Sequence, residues 1–198
     1  MKKLFFVLLM AVVFSGNVFG QIWDYSKPDK AITFGVRAGV NISSMGGGQG
    51  RMYDESLIGF HVGLKTDFNI VKSFAIETGL YYSGKGASKA EKGGNEAWRC
   101  PSVQLPVLAN FKFPVSNSVE IQVKGGVFLG YVHVEKPESL YVDTNDKMDF
   151  GLIVGTGVKI KKFYVGAQFE PGMVDLVNFE KGKRYESRNI AISLGYDF

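Results

Sequence analysis

The sequence predicts an all-β protein, an eight-stranded antiparallel up-and-down transmembrane β-barrel. Three observations predict it: eight segments alternate large apolar with small or polar residues, their connections alternate between long and short, and aromatic residues gather at both ends of the apolar face. An alternation of period two gives a strand one apolar and one polar face. Strands of about 9–11 residues can cross a bilayer when they are tilted.

The eight predicted strands follow one another after a polar lead, at 33–43, 57–70, 74–83, 102–113, 119–132, 148–160, 163–170 and 189–198. The connections at 44–56, 84–101, 133–147 and 171–187 are long and polar, whereas those at 69–73, 114–118 and 161–162 are short. This alternation is typical of a barrel whose short turns and both termini lie on the periplasmic side. Eight strands also allow an antiparallel closure without a free edge.

The last strand shows the alternation most clearly and runs to the final residue. Its large apolar residues are Ile190, Ile192, Leu194, Tyr196 and Phe198. An amphipathic terminal strand that ends on an aromatic residue resembles the assembly signal of bacterial outer-membrane barrels. That signal would comprise Ile192, Leu194, Tyr196 and Phe198, and the strand would pair with 33–43 to close the barrel.

The start of the chain predicts a secretory signal peptide over residues 1–20. Lys2 and Lys3 precede an unbroken apolar run at 4–14, and Val18 and Gly20 suit a cleavage site before Gln21. The run is too short for a helix that spans a bilayer. We therefore expect a short periplasmic lead at 21–31 and one barrel domain at 32–198.

Composition excludes several classes of protein and of site. The chain has 23 basic and 19 acidic residues, and without the two leader lysines its net charge is about +2, which argues against a nucleic-acid partner. Cys100, the only cysteine, cannot form an internal disulfide. It ends the second long connection, where we expect a solvent-facing or half-buried thiol, with intermolecular pairing as the alternative. Asp143, Asn145 and Asp146 lack the spacing of a calcium loop, so no metal or other cofactor is expected.

A secreted soluble barrel, lipocalin-like and with its apolar face inside, would show the same alternation. The polar face decides between the two interpretations, because glycine (25 of 198 residues in the chain) and long charged side chains dominate it. A narrow lumen needs small residues to make room for Arg and Lys, whereas a solvated surface has little need of them. The membrane barrel is therefore favoured.

Ten charged residues fall on the predicted lumen face, five basic and five acidic. They are Arg37, Lys65, Lys112, Lys124 and Lys159, and Asp67, Glu77, Glu120, Asp149 and Glu170. An eight-stranded barrel is just wide enough for side chains to fill it, so these charges predict a neutral, cross-linked plug. A polar conduit for protons or small solutes is the alternative.

Aromatic residues on the apolar face predict two membrane girdles. The periplasmic girdle comprises Phe34, Phe68, Phe74, Phe111, Phe113, Phe163, Tyr196 and Phe198. The outer girdle comprises Tyr82, Tyr131 and Phe150.

Two further residue types suggest chemistry or irregular structure. His61 and His133 are the only histidines, and His61 lies on the lumen face, where Glu77 or Tyr81 of the next strand could reach it. No nucleophile motif accompanies His61, so we expect a structural histidine and no enzyme. Pro106 removes a backbone donor and predicts a bulge in the fourth strand, with a functional kink as the alternative.

Three sequence segments carry a family resemblance: GVRAGVNIS at 35–43, VQLPVL at 103–108 and DFGLIVGTG at 149–157. They resemble the Bacteroidetes-type outer-membrane β-barrel family, often called PorT-like, and the resemblance spans the mature chain in strand order. It implies the fold and a location in a Gram-negative outer membrane, but no activity. The family name derives from a component of secretion machinery.

These observations predict an integral outer-membrane protein with a structural, adhesion or partner-interaction role through its extracellular loops. A narrow pore for small solutes is one alternative, and an accessory component of protein secretion, implied by the resemblance alone, is the other. The expected partners are the lipid bilayer, lipopolysaccharide, the barrel-assembly machinery during insertion, and a protein at the outer loops.

Overall fold

The computed structural model describes residues 23–46, 55–91, 94–133, 147–173, 177–179 and 183–198, and their regular structure is entirely β. The strands are β1 Ile32–Gly46, β2 Glu55–Val71, β3 Phe74–Glu91, β4 Gly94–Ser116, β5 Val119–Val132, β6 Lys147–Ile160, β7 Phe163–Pro171, β8 Val177–Phe179 and β9 Lys183–Asp197. All except the short β8 form one closed antiparallel barrel of eight strands. The predicted fold class is confirmed.

The barrel closes by pairing its first and last long strands. β1 and β9 are in register from Gly35 opposite Asp197 to Gly46 opposite Glu186. β9 pairs along its other edge with β7, from Phe163 opposite Tyr196 to Pro171 opposite Arg188. Each barrel strand therefore has a neighbour on both sides, as the final strand of the sequence predicts.

The two faces of the barrel have opposite character. Large apolar side chains point outward and remain exposed, Leu64 to 65%, Leu194 to 63% and Phe163 to 66%. The inward positions between them are mostly polar, glycine or charged, and their side chains are buried. All eleven residues of the two predicted girdles lie on the outer face, exposed or half-buried.

Aromatic contacts are densest at the end of the barrel that carries the short turns. Phe74 lies 5.3 Å from Phe111 between ring centroids, and Tyr196 lies 5.4 Å from Phe163 and 5.7 Å from Phe198. We call this the short-turn end, since the turns at 72–73, 117–118 and 161–162 are two residues each. Lys161, with φ of 55°, provides the left-handed residue of the last turn.

The lead before β1 is irregular but is attached to the short-turn end. The backbone amide of Asp24 donates to the Ser73 hydroxyl (2.7 Å), and the Trp23 ring lies 5.6 Å from that of Phe111. Hydrogen bonds from the side chain and backbone of Ser26 lower the pKa of Asp24. The predicted signal peptide lies outside the described residues.

The connection predicted at 84–101 is instead mostly paired strand. β3 and β4 continue in register from Gly84 opposite Pro101 to Glu91 opposite Gly94. The prediction was wrong because backbone pairing needs only a facing strand, whereas the apolar alternation used to recognise strands is required only against lipid or a core. Cys100 consequently lies within β4 opposite Lys85, and it is 2% exposed rather than solvent-facing or half-buried.

The bulge predicted at Pro106 is also absent. Thr78 pairs with Val107 and Tyr81 pairs with Gln104, so the register of β3 and β4 is unchanged across this stretch. The two intervening positions are simply unpaired in the ladder. The missing N–H of proline thus removes pairing locally without insertion of an extra residue.

None of the described residues forms a helix that is long and apolar enough to cross a membrane.

The outward apolar face predicts a depth-dependent penalty for charge. Leu194 lies in the middle of the outward apolar face. Its replacement, Leu194→Arg, is expected to lower the free energy of unfolding by roughly 2–4 kcal/mol in lipid vesicles. Ser116→Arg, at the exposed end of β4, is the matched control and should change it by less than about 0.5 kcal/mol. Urea unfolding followed by tryptophan fluorescence measures both, and equal stabilities would contradict a lipid-facing surface.

Candidate functional site

The lumen collects the charged residues predicted for it. Eight of the ten are buried, namely Arg37, Lys65, Asp67, Glu77, Lys112, Lys124, Asp149 and Glu170. Glu120 and Lys159, which are nearer the short-turn end, are half-buried. The alternation along each strand brings them together, because successive inward residues belong to one continuous inner face.

A central ion cluster occupies the half of the lumen nearer the short-turn end. It comprises Arg37, Lys65, Asp67, Glu77, Lys112, Lys124, Lys159 and Asp197. Asp67 accepts from Lys65 (2.7 Å) and Lys112 (3.2 Å), and Glu77 accepts from Lys124 (2.6 Å). These ion pairs cross the lumen, so the cluster links strands that are far apart in sequence.

Asp197 joins the two sides of this cluster. Its carboxylate lies 2.8 Å from Arg37, 3.4 Å from Lys65 and 3.0 Å from Lys159. The sequence prediction did not count Asp197 among the lumen charges. The signal was available, since Asp197 continues the polar face of the last strand after Ser193 and Gly195.

The Tyr164 ring contacts two cations of the central ion cluster. The Arg37 guanidinium lies 4.3 Å and the Lys124 ammonium 4.5 Å from the ring centroid. The ring has this position because Gly157 and Gly166 flank it, and a Cβ at Gly157 would lie 2.5 Å from its atoms. Cation–π attraction then offsets part of the repulsion between two buried positive groups.

A second ion pair lies further from the short-turn end. Lys85 contacts Glu170 at 2.7 Å, and Glu170 also accepts hydrogen bonds from Gln168 (2.7 Å) and Asn189 (3.1 Å). The Lys85 ammonium lies 4.6 Å from the centroid of the Phe128 ring. Sequence reasoning missed Lys85, which it assigned to a loop, although Lys85 keeps the phase of the inward residues Tyr81 and Ser83.

With Lys85 and Asp197 included, six cations and six carboxylates of the described residues share the lumen, so these charges balance. Two of the carboxylates, Glu120 and Asp149, take part in none of the ion pairs described above. Glu120 accepts from Gln122 (2.7 Å), and the buried Asp149 has one oxygen, Oδ1, without a hydrogen-bond partner in the described part of the chain. The arrangement resembles a cross-linked plug more than a row of free charges along a water path.

His61 contacts neither Glu77 nor Tyr81, the partners expected from the sequence. Its Nδ1 lies 2.9 Å from Asn41 Oδ1 and its Nε2 lies 2.9 Å from the Ser193 hydroxyl. His61 and Ser193 both pair with Gly39, on either side of β1, and a Cβ there would lie 2.7 Å from the imidazole. Glycine therefore allows the histidine to bridge across a whole strand.

The amide of Asn41 fixes the proton on this histidine. Its nitrogen donates to Ser83 Oγ and to the Gly84 carbonyl (both 3.0 Å), which leaves its oxygen to accept from His61 Nδ1. Nε2 then accepts from Ser193. The hydrogen bonds run from Asn41 to His61 to Ser193, which is the order found in hydrolytic triads. Ser193, however, is buried and does not line the adjoining cavity. We interpret the three residues as a structural network.

No metal site is recognised among the residues whose placement is described, since nowhere do three His, Cys, Asp or Glu side chains gather to hold an ion.

The Lys85–Glu170 pair should contribute strongly to stability. Lys85→Met leaves Glu170 buried without its cation and is expected to cost roughly 3–5 kcal/mol of unfolding free energy. Adding Glu170→Gln should restore most of the loss, because no buried charge then remains unpaired. Lys72→Met is the control, since Lys72 and Asp29 are 43% and 90% exposed, and such pairs contribute about 0–1 kcal/mol. Urea unfolding in vesicles measures all three, and a double variant no more stable than Lys85→Met would refute the assignment.

Solved structures with the same architecture come from several bacteria. Neisserial surface protein A (NspA) superposes with a TM-score of 0.53 at 16% identity, covering 85% of this chain and 100% of its own. OprG from Pseudomonas aeruginosa has a TM-score of 0.50 at 13% identity, covering 89% of this chain and 99% of its own. Ail of Yersinia pestis has a TM-score of 0.49 at 15% identity, with coverages of 85% and 100%. At identities this low, NspA and OprG show a shared fold alone.

Sequence comparison is more specific. No curated protein sequence matches the chain. A family model described as "Outer membrane protein beta-barrel domain" does match, over residues 19–178. That match covers most of the chain and agrees with its closed barrel and apolar outer face. The chain therefore belongs to the outer membrane protein beta-barrel domain family, and its location is the outer membrane.

Proposed function

We propose that this protein is a non-conducting barrel that binds a partner protein through the end opposite the short turns. The observation that carries the proposal is the extension of the β3–β4 hairpin beyond the barrel wall. The resemblance to PorT-like barrels supports a place in the Bacteroidetes-type branch, without specifying the partner.

The hairpin is long in comparison with the strands beside it. Pairing of β4 with β5 ends at Ser102 opposite Val132, followed by one hydrogen bond from the His133 amide to the Pro101 carbonyl (2.9 Å). β3 and β4 remain paired for eight further positions, up to Glu91 opposite Gly94. At a rise of about 3.3 Å per residue, this extension is roughly 25 Å long.

Among the described residues, the two edges of the extension differ in their pairing. β2 pairs with the β3 side at Glu55 opposite Ser88 and Ser56 opposite Ala87. Along the β4 side, 94–99 pairs with no strand in the part of the chain that the structure describes. A strand edge with unpaired N–H and C=O groups is a template for an extended segment of another chain. The partner we infer is therefore a protein that adds a strand to this edge.

The lumen supports binding rather than transport. The central ion cluster and the Lys85–Glu170 pair span the interior with contacts of 2.6 to 3.4 Å. A permeating solute would have to separate buried ion pairs, which is costly in a medium of low dielectric constant. A narrow pore is therefore the weaker candidate.

We also propose an orientation and the surrounding contacts. The short turns and both termini would face the periplasm, and the hairpin would face outward, as is usual for barrels with short periplasmic turns. Lipid chains would contact the outward apolar face, and lipopolysaccharide would contact the outer girdle. The assembly machinery would contact the last strand during insertion.

The closed lumen predicts an electrical result. The wild-type protein should give no single-channel conductance in planar bilayers, and Arg37→Met combined with Lys124→Met should give none either, because the remaining side chains still fill the narrow interior. Heat-modifiable gel mobility verifies that both proteins are folded. Steady channels from the wild type would favour a conduit, and channels from the double variant alone would identify the ion cluster as a gate.

The hairpin predicts a position-specific contact. A photo-crosslinking benzoylphenylalanine at Glu91 should form an adduct of one defined mass in intact cells, whereas the same residue at Asn117, in a short turn, should not. Replacing 87–98 by Asn-Gly, a favoured hairpin turn, should abolish partner binding while the barrel keeps its heat-modifiable mobility. Equal adducts at both positions, or partner binding by the shortened hairpin, would contradict the proposal.

A further inference from the structure

The lumen opens at the short-turn end into a vestibule with a volume of about 840 Å³. The lead, the three short turns and the last residues of β9 form its walls. Lys112, Lys159 and Asp197 lie deepest, since they belong to the central ion cluster and are buried or half-buried. Sites for small molecules commonly measure about 300–1,000 Å³, so the vestibule can hold a ligand of that size.

The lead forms one wall of the vestibule and is held in place by hydrogen bonds. Asp29 and Lys30 line that wall. The Lys30 carbonyl accepts from the side-chain amide of Asn69 (2.8 Å), and the backbone amide of Lys72 donates to the Ser26 carbonyl (3.1 Å). The wall is therefore formed before any ligand binds, which lowers the entropic cost of binding.

The lining of the vestibule is rich in lysine. Six lysines and four acidic side chains of the described residues line it, an excess of two positive charges. The lysines come from the lead, from two of the short turns and from the inner face of β4 and β6, so they surround the space. They are Lys30, Lys72, Lys112, Lys159, Lys161 and Lys162. A cleft lined by one sign of charge raises the local concentration of ions of the other sign, here anions.

Three of the four acidic residues already have partners in the chain. Asp197 contacts three cations, as described above, and Asp29 lies 3.5 Å from Lys72. Asp24 accepts from the backbone amide of Ser26 (2.8 Å). These carboxylates are therefore partly neutralised, and they oppose the binding of an anion less than their number suggests.

Glu120 is the fourth acidic residue and differs from the other three. It accepts from the Gln122 side chain (2.7 Å) and forms no ion pair within the described part of the chain. In the register of β5 and β6 it lies opposite Lys159. Its negative charge is therefore next to a lysine of the vestibule, where it weakens the attraction for an anion.

The lysines deep in the vestibule have donors to spare. An ammonium group has three N–H donors. Among the described residues, Lys112 contacts two acceptors (2.6 and 3.2 Å) and Lys159 contacts one (3.0 Å). A ligand can therefore accept a hydrogen bond from each of them without breaking an existing contact.

Two further lysines meet at the rim. The Lys30 ammonium contacts the main-chain oxygen of Phe198 (3.3 Å), and the backbone amide of Asp197 donates to the Lys162 carbonyl (2.8 Å). These bonds bring Lys30 close to the turn at 161–162. Lys161 in that turn is exposed and takes part in no ion pair within the described residues.

We propose that the vestibule binds a small organic anion that carries two or more carboxylate or phosphate groups. One group contacts Lys112 and Lys159 deep in the vestibule, and another contacts Lys161 and Lys30 at the rim. Lysine suits both kinds of group, because it acts as a compact point charge. The site lies at the opposite end of the barrel from the hairpin and does not depend on the partner proposed there.

Differential acetylation tests the site without any substitution. The folded protein is placed in nanodiscs of phosphatidylcholine, which leave both ends of the barrel open and carry no net charge. Citrate or tripolyphosphate is added at constant ionic strength, lysines are acetylated briefly, and each modification is measured by peptide mass spectrometry. At about ten times its Kd, a probe that binds should slow acetylation of Lys161 and Lys30 by about tenfold.

Lys27 is the internal control, since it is exposed on the same lead but does not line the vestibule. Its acetylation should not change. Protection of Lys27 equal to that of Lys161 would show ionic screening only and would overturn the proposal, as would the absence of protection by both probes. Protection by either probe supports the site, and the more effective of the two identifies the class of anion.

Charge substitutions add a directional test, in which calorimetric titration measures the Kd of the more effective probe. Lys161→Ala with Lys30→Ala should raise Kd by about tenfold, because two charge-assisted hydrogen bonds are lost. Glu120→Gln should lower Kd by roughly threefold, because it removes a negative charge beside Lys159. Lys27→Ala is the matched control and should leave Kd unchanged.

Gel mobility verifies that each variant is folded. A Kd that rises as much in Lys27→Ala as in the double variant would contradict the proposal, and so would a Kd that Glu120→Gln does not lower.

Discussion

The structure depends on closure of the sheet. In a bilayer each backbone N–H and C=O needs a partner, because no water is present to replace one. β9 meets this constraint by pairing with β7 along one edge and with β1 along the other. Closure with eight strands also sets the width of the lumen, and that width decides which side chains the interior can hold.

The narrow lumen explains why its side chains are so interdependent. Long basic residues can fit only beside small ones, and the bridging position of His61 exists because Gly39 lies beneath it. A buried charge is tolerated only where an opposite charge or hydrogen-bond donor lies within contact distance. Asp197 and Asp67 each satisfy more than one cation, so the lumen is occupied by a connected network.

The β3–β4 ladder departs from uniform pairing at two places. The β3–β4 hairpin continues to pair past the end of its neighbour β5, and 94–99 pairs with no strand in the part of the chain that the structure describes. The same two strands lose ladder pairing between Thr78 and Tyr81, because Pro106 has no N–H to donate. The first departure supplies the backbone groups on which the proposed function rests.

The sequence by itself determined the number of barrel strands, their order, which face of each strand is apolar, and the ten charges expected inside. Period-two alternation carries this information because lipid and lumen impose opposite polarity on neighbouring residues. Only the tertiary structure decided which side chains contact one another. His61 contacts Asn41 and Ser193, Lys85 contacts Glu170, and Asp197 contacts three cations. Alternation tells which face a residue occupies, whereas its partners depend on register and on curvature around a closed barrel. Beyond Ser83 the residues of the paired hairpin do not show this alternation, so the hairpin was not recognisable in the sequence.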